Sequence, residues 1–176
     1  AWATSETVRF VRLALSTATQ SAPTNAPKLI IGDLSTPWGG PLPPHRSHQS
    51  GRDVDVGYFR LDPADRWWTD ASPRTLDVTR TWTLVRTFVT LTDVEAIFID
   101  RSLQFPLKKH ALRIGEDERW VGRLFDVDGA GGSALVRHVP EHVNHMHVRF
   151  RNPVAQRVAR VLRDLAISDD SPRSAQ

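Results

Sequence analysis

The sequence predicts one α+β domain over residues 1–167, in which helices flank a small central antiparallel sheet. Three observations predict it. Two short segments alternate polar and apolar residues, as strands with one buried face do, and two others are short apolar runs typical of buried strands. Longer segments repeat apolar residues with a helical period. With 176 residues, 40% of them hydrophobic, the chain is long enough to bury a core.

Four segments are predicted to form helices. The first extends from Glu6 to about Gln20, and Ser5 can accept a hydrogen bond from its first turn. The second extends from Thr79 to about Leu91 and the third from Ser102 to Leu112, while Pro153 opens a fourth that reaches about Leu165. The predicted apolar faces of the first two are Val8, Val11, Leu13 and Leu15, and Leu84, Val85, Phe88 and Leu91.

Four segments are predicted to form strands. Lys28–Gly32 and Val94–Asp100 are apolar runs, whereas Asp53–Phe59 and His145–Phe150 alternate. In the alternating strands, Asp53, Asp55 and Gly57 share one face, as do His145, His147 and Arg149. If these two strands are neighbours, Asp55 and His147 converge on the same side of the sheet. Residues 168–176 are predicted to be a disordered tail.

Composition limits the possible classes of function. The chain has no cysteine, which excludes disulfides and thiolate metal sites. Its net charge of +3 suits an anionic polymer, but the arginines are scattered and do not favour nucleic-acid binding. No apolar run reaches the roughly 18–20 residues needed to cross a bilayer, so no transmembrane segment is expected. No signal peptide is recognisable at Ala1.

Five of the seven histidines lie in two short stretches, His45–Asp55 and His142–His147. Neutral imidazole and carboxylate are the usual protein ligands of zinc where thiolates are absent, so the two stretches predict one assembled metal site. His48 precedes Asp55 across a turn at Gly51 and can fold back over the sheet face. Two imidazoles and one carboxylate also suit non-haem iron, so these donors alone do not name the metal.

The stretches carry a family resemblance. Residues from about Leu29 to Pro153 resemble the penicillin-insensitive murein endopeptidases, within the lysostaphin/D-Ala-D-Ala metallopeptidase group. Ile31–Val56 is similar to the family's first motif and His142–Arg149 to its second. Val94–Ile99 is similar to the family's central strand.

The resemblance implies a site and a substrate. It implies that one Zn²⁺ per chain is bound by His48, Asp55 and His147. The family's catalytic histidine falls on His145, and further histidines that line its site fall on His45 and His142. The implied substrate is the peptide cross-link of peptidoglycan, cut between D-alanine and diaminopimelate or between two diaminopimelates. Such a substrate implies export to the periplasm or beyond.

The chemistry is consistent with these roles. Zinc lowers the pKa of bound water towards about 7, and a base must then carry the proton to the leaving amine. Histidine titrates in the right range, and His145 shares a strand face with His147. In many relatives outside the family a glutamate three residues before the last ligand is the base. Asn144 stands there and cannot accept a proton, which favours His145.

Several alternatives remain open at the level of sequence. The same ligands would serve a zinc carboxypeptidase that trims stem peptides, or a wall-binding module that holds zinc without turnover; nucleic-acid binding is a remote third. His45 and His142 are either catalytic or supports for a ligand's free ring nitrogen. Asp53 is expected to orient a neighbour rather than bind metal, and His110 and His138 are expected at the surface. The sequence indicates neither the preferred cross-link nor the oligomeric state.

Overall fold

The computed structural model describes residues 1–20, 22, 26, 28–43, 45, 47–61, 69–127, 132–158 and 160–161. The predicted tail and the end of the last predicted helix lie outside these residues. The predicted mixture of helices and strands is confirmed. The helices are α1 (Ser5–Thr19), α2 (Val78–Leu91), α3 (Arg101–Arg113) and α4 (Glu118–Leu124), and residues 153–158 are also helical. Within the described part of the chain, no helix is both long and apolar enough to cross a bilayer.

The four strands form one sheet in the order β1-β4-β2-β3. They are β1 (Asp53–Gly57), β2 (Val94–Ile99), β3 (Val136–His138) and β4 (His145–Phe150). β4 is antiparallel to both of its neighbours, but β3 pairs with β2 in parallel. The prediction of an antiparallel sheet is therefore wrong at this edge, and the sheet is mixed. The parallel pairing arises because α3 and α4 carry the chain across the sheet between β2 and β3.

The predicted strand at Lys28–Gly32 is reduced to one isolated bridge, between Ile31 and Val56. The segment still runs beside β1, because the Gly32 N–H donates to the Asp55 carbonyl over 2.8 Å and the Asp55 N–H donates to the Asp33 carbonyl over 3.0 Å. It therefore covers the free edge of β1 and brings Asp33 and Leu34 beside the strand that carries Asp55.

One face of the sheet packs against helices. The ring of Phe150 in β4 lies 5.3 Å from that of Phe10 in α1 and 5.7 Å from that of Phe88 in α2. Val54 of β1 and Val148 of β4 are also fully buried on this side. Because side chains alternate along a strand, the residues between them point to the opposite face. That face carries the histidines and carboxylates.

The helix faces differ from the prediction in three places. Val8 and Leu13 are 44% and 39% exposed, since α1 instead buries Phe10, Ala14 and Ala18. Leu91 is 60% exposed because it is the last residue of α2. The N-cap of α1 is Thr4, whose Oγ1 accepts from the Thr7 N–H over 3.2 Å, rather than Ser5.

The prediction that His110 lies at the surface is wrong. His110 is only 6% exposed, because it follows Leu103 and Leu107 at helical spacing on the buried face of α3. Its Nδ1 lies 3.0 Å from an Nη of Arg113. Burial, and then the Arg113 charge, lowers the pKa of His110.

Candidate metal centre

The pairing of β1 with β4 brings the two sequence motifs together. Asp55 lies opposite His147, Asp53 lies opposite Arg149, and His145 lies opposite Gly57. The side chains of these pairs share the sheet face that is turned away from α1 and α2. The predicted convergence of Asp55 and His147 is therefore confirmed.

His48 reaches the same face from the loop before β1. Its side chain is fully buried, and Nδ1 lies 2.7 Å from the carbonyl oxygen of Leu34. A carbonyl only accepts, so Nδ1 carries the proton and Nε2 presents a lone pair when the ring is neutral. The turn that returns the chain to β1 depends on Gly51, whose φ is +67° and whose missing Cβ would lie 3.0 Å from the Thr4 nitrogen.

His147 is oriented by a buried carboxylate. Its Nε2 lies 2.9 Å from Oδ1 of Asp53, and the same oxygen accepts from Nε of Arg149 over 2.8 Å. Burial alone would raise the pKa of Asp53, but the contacts with His147 and Arg149 outweigh it and lower that pKa. Asp53 is therefore ionised and accepts a hydrogen bond from the Nε2–H of His147, while Nδ1 of the same ring faces Asp55. Asp53 thus has the orienting position that the sequence predicts.

Three donor atoms meet in a small triangle. Nε2 of His48 lies 3.2 Å from Oδ1 of Asp55 and 3.1 Å from Nδ1 of His147, and the last two atoms are 3.1 Å apart. When both rings are neutral, three lone pairs face one another in a buried space. That arrangement requires a positive charge between them, which either a proton or a metal cation can supply.

The pKa shifts of His147 and Asp55 are consistent with a positive charge at this position. Burial disfavours the charged ring of His147, but the carboxylates of Asp53 and Asp55 outweigh it and raise the pKa of His147. Burial likewise opposes ionisation of Asp55, but hydrogen bonds with His147 and His48 lower its pKa below the usual range. Both shifts favour a positive charge next to the Asp55 carboxylate.

His145 borders the triangle. Its Nε2 lies 3.7 Å from Oδ1 of Asp55, and its Nδ1 lies 2.5 Å from Oδ1 of Asn144. Donation from Nδ1 to the amide oxygen leaves Nε2 as the acceptor that faces the site. Burial lowers the pKa of His145 to about 4, so the ring is neutral at neutral pH and Nε2 carries a lone pair. The ring of His142 lies 4.9 Å away, centroid to centroid.

His45 lies on the other side of His48. The two rings are 4.4 Å apart, and Nε2 of His45 lies 2.9 Å from Oδ2 of Asp33. Donor atoms of His45, His48 and Asp55 all lie within 4.8 Å of one another, so these residues are a second set that could hold a metal. Both sets share His48 and Asp55. The cluster contains every predicted site residue: His45, His48, Asp55, His142, His145 and His147.

Some supporting groups escape sequence reasoning. The hydroxyl of buried Tyr58 donates to the His142 carbonyl over 2.9 Å, and the Asp100 N–H donates to the same oxygen over 3.2 Å. Tyr58 continues the apolar face of β1 in sequence, so its hydroxyl gives no separate signal. The Leu34 carbonyl that fixes His48 gives none either. His138 is half-buried and lies outside the cluster, where its Nδ1 accepts from the Arg101 N–H at the start of α3 over 3.0 Å.

The sequence of this chain is similar to those of known proteins over most of its length. The profile of the penicillin-insensitive murein endopeptidases matches residues 1–170. Curated proteins of that name from Pectobacterium atrosepticum, Yersinia pestis (strain Antiqua) and Escherichia coli O139:H28 are 29%, 30% and 32% identical. The alignments cover 77%, 71% and 71% of this chain, but 48%, 46% and 46% of those proteins. The chain thus spans about half the length of the relatives it matches. Because the profile covers nearly all of it, the chain belongs to the penicillin-insensitive murein endopeptidase family.

Proposed function

We propose that this chain is a zinc metallopeptidase that hydrolyses the peptide cross-links of peptidoglycan. The observation that carries the proposal is the triangle of His48 Nε2, Asp55 Oδ1 and His147 Nδ1, with sides of 3.1–3.2 Å. Ligands about 2.0–2.2 Å from a tetrahedral zinc lie about 3.3–3.6 Å apart. A single ion therefore fits between these atoms after shifts of a few tenths of an ångström. The names of the relatives support the substrate.

We assign the ligands as His48, Asp55 and His147 rather than the set that includes His45. The donor atoms of the triangle are 3.1–3.2 Å apart, whereas those of the alternative set lie within 4.8 Å of one another. Each imidazole of the triangle also has its other nitrogen tied to an acceptor, Leu34 O for His48 and Asp53 for His147. Such partners fix the tautomer of a ligand and are common around zinc. His45 contacts Asp33 and would border the site.

His48, Asp55 and His147 would hold the metal, which would polarise the scissile carbonyl and acidify water. The residues of the chain then position and transfer protons. Nε2 of His145 accepts a proton from the attacking water, and His145 then donates that proton to the leaving amine. Asn144 holds the Nδ1 proton, so that Nε2 faces the reaction. His142 and His45 lie against His145 and His48 and would contact substrate at the rim of the site.

The bond cut is proposed to join D-alanine to diaminopimelate or two diaminopimelates. Because peptidoglycan lies outside the cytoplasmic membrane, the protein would act after export, in the periplasm or an equivalent compartment. Purified protein should be incubated with cross-linked murein and the products separated by chromatography. We expect cross-linked dimers to be converted to monomers, activity to be lost with a chelator, and activity to return with added zinc.

Other outcomes of the murein digestion would support one of the alternative functions instead. Released D-alanine with intact cross-links would identify a carboxypeptidase. Protein that sediments with murein but leaves every muropeptide unchanged would identify a binding module. Hydrolysis that is indifferent to both chelator and zinc would contradict a metal mechanism altogether.

A further inference from the structure

A cavity of about 490 Å³ opens at the start of α1. Its walls come from the start of the chain (residues 2–6), the loops at residues 35–39 and 49–51, and the segment 152–158. Its size is within the range of about 300–1,000 Å³ that is typical of small-molecule sites. None of the proposed metal ligands lines it, so it is a separate feature of the molecule.

Two tryptophans line this cavity while remaining open to solvent. Trp38 is 88% exposed and Trp2 is 58% exposed. An aromatic surface of this size is unfavourable in water and, when it lines a cavity, indicates that a ligand covers it. Both side chains therefore have apolar surface that a ligand could cover.

The polar groups of the cavity narrow the chemistry of the ligand. Glu6, Gln49 and Asn152 contribute carboxylate and amide groups to the walls. Asn152 Nδ2 donates to Oε2 of Glu6 over 3.5 Å, and its Oδ1 accepts from the Ala155 N–H over 2.9 Å. Among the described lining residues there is no lysine, arginine or histidine, so these residues offer no cationic group for a phosphate or carboxylate. A neutral ligand with apolar faces and hydrogen-bonding edges fits these walls. A pyranose ring has this character, because its C–H faces stack on aromatic planes and its hydroxyl and acetamido groups lie at its edge.

The cavity shares its wall with the loop that holds the metal centre. Gln49 and Ser50 follow His48 directly, and Ser35 follows Leu34, whose carbonyl fixes the His48 ring. In peptidoglycan the cross-linked peptide is attached to an amino sugar. A sugar held in this cavity would therefore contact residues that are adjacent in sequence to those of the candidate metal site.

We propose that the cavity binds an N-acetylated amino sugar of the peptidoglycan strand, with Trp38 and Trp2 stacking on the ring and the Glu6 carboxylate accepting from hydroxyl groups at its edge. The inference rests on the proposed function, since it assigns the glycan part of the same substrate. It gives the chain a contact that recognises the strand as well as the cross-link.

Binding can be measured without any hydrolysis. The intact chain is titrated with tri-N-acetylchitotriose, a soluble trimer of N-acetylglucosamine, by calorimetry and tryptophan fluorescence. We expect saturable binding that Trp38→Ala or Trp2→Ala weakens about tenfold or more, while Trp38→Phe keeps most of it. Phe105→Ala is the matched control, because Phe105 is a 56% exposed aromatic residue of α3 outside the cavity. Trp38 is so exposed that its removal leaves the fold intact, which circular dichroism verifies.

A second measurement separates this inference from the proposed function. Trp38→Ala should raise KM about tenfold for a cross-linked muropeptide dimer that retains its sugars, yet leave hydrolysis of the same dimer stripped of sugars unchanged. Chitotriose that does not bind the wild-type chain, or binds Trp38→Ala as tightly as Phe105→Ala, overturns the inference even if the peptidase is active. Sugar binding by a chain that cleaves neither dimer would instead sustain the inference and refute the peptidase.

Discussion

Asp53 and Arg149 lie opposite each other in β1 and β4, and Nε of Arg149 donates to Oδ1 of Asp53 over 2.8 Å. The same oxygen lies 2.9 Å from Nε2 of His147. Arg149 therefore favours the ionised carboxylate, which in turn keeps the His147 proton on Nε2. The nitrogen that faces Asp55 and His48 is left without a proton, as a metal ligand must be.

Asp53→Asn should weaken zinc binding about 10–100-fold, which is the usual effect of losing a partner behind a ligand. The amide is close in size to the carboxylate but carries no charge to hold the His147 proton in place. Competition with a chromogenic chelator measures the affinity. Asp33→Asn is the matched control, because Asp33 contacts His45 and should leave the affinity near that of the wild type. Equal affinities for the two variants would contradict the role of Asp53.

His147→Ala and His45→Ala discriminate between the two possible ligand sets. We expect His147→Ala to lose stoichiometric zinc and His45→Ala to retain it, because only His147 contributes to the triangle with sides of 3.1–3.2 Å. Elemental analysis after dialysis gives the metal content per chain. The reverse result would move the ion to the set of His45, His48 and Asp55.

His145→Ala should keep one zinc per chain and lose at least about 100-fold in turnover, because it removes the group that carries the proton but no ligand. Murein hydrolysis and metal content are measured on the same preparation. Near-normal digestion by this variant would remove His145 from the mechanism.

Asn144→Ala should lower turnover less than His145→Ala does, by about tenfold, since the base remains but loses the partner that fixes its tautomer. The double variant provides the stricter test. If Asn144 acts through His145, Asn144→Ala has no further effect once His145 is alanine. Additive losses would show that Asn144 acts on its own.

Thr4→Ala should lower the free energy of unfolding by about 0.5–2 kcal/mol, because it removes the acceptor for the Thr7 N–H at the start of α1. Ser5→Ala is the control and should change stability by less, since Ser5 lies inside the helix and its hydroxyl contacts only exposed Glu6. Urea denaturation measures both. The opposite ranking would restore Ser5 as the cap.

The elements with a clear period are predictable from sequence. Alternation alone places Asp55 and His147 on one face of paired strands, and the run from Val94 predicts β2 because its apolar residues are contiguous. β3 is not predictable in this way, because its three residues are too few to show a period. Its parallel pairing depends on the path through α3 and α4, which is set by tertiary packing.

The candidate site is also only partly predictable from the sequence. Side chains that carry the chemistry are visible in the motifs, whereas the groups that orient them are partly backbone. The Leu34 carbonyl that fixes His48 cannot be predicted from the sequence, because every residue type has a backbone carbonyl. His110 shows the converse error: histidine is more often exposed than leucine, but the buried face of α3 includes it here because its ring pairs with Arg113.

The position of β4 between β1 and β2 has a consequence for assembly of the protein. A slip of β4 by one residue against either neighbour would turn His145 and His147 into the apolar layer and Met146 and Val148 towards water. The candidate metal centre therefore depends on one strand alignment. Zinc that binds there would stabilise only chains in which β4 is correctly aligned. Metal binding would then help to determine the register of the sheet, in addition to its role in catalysis.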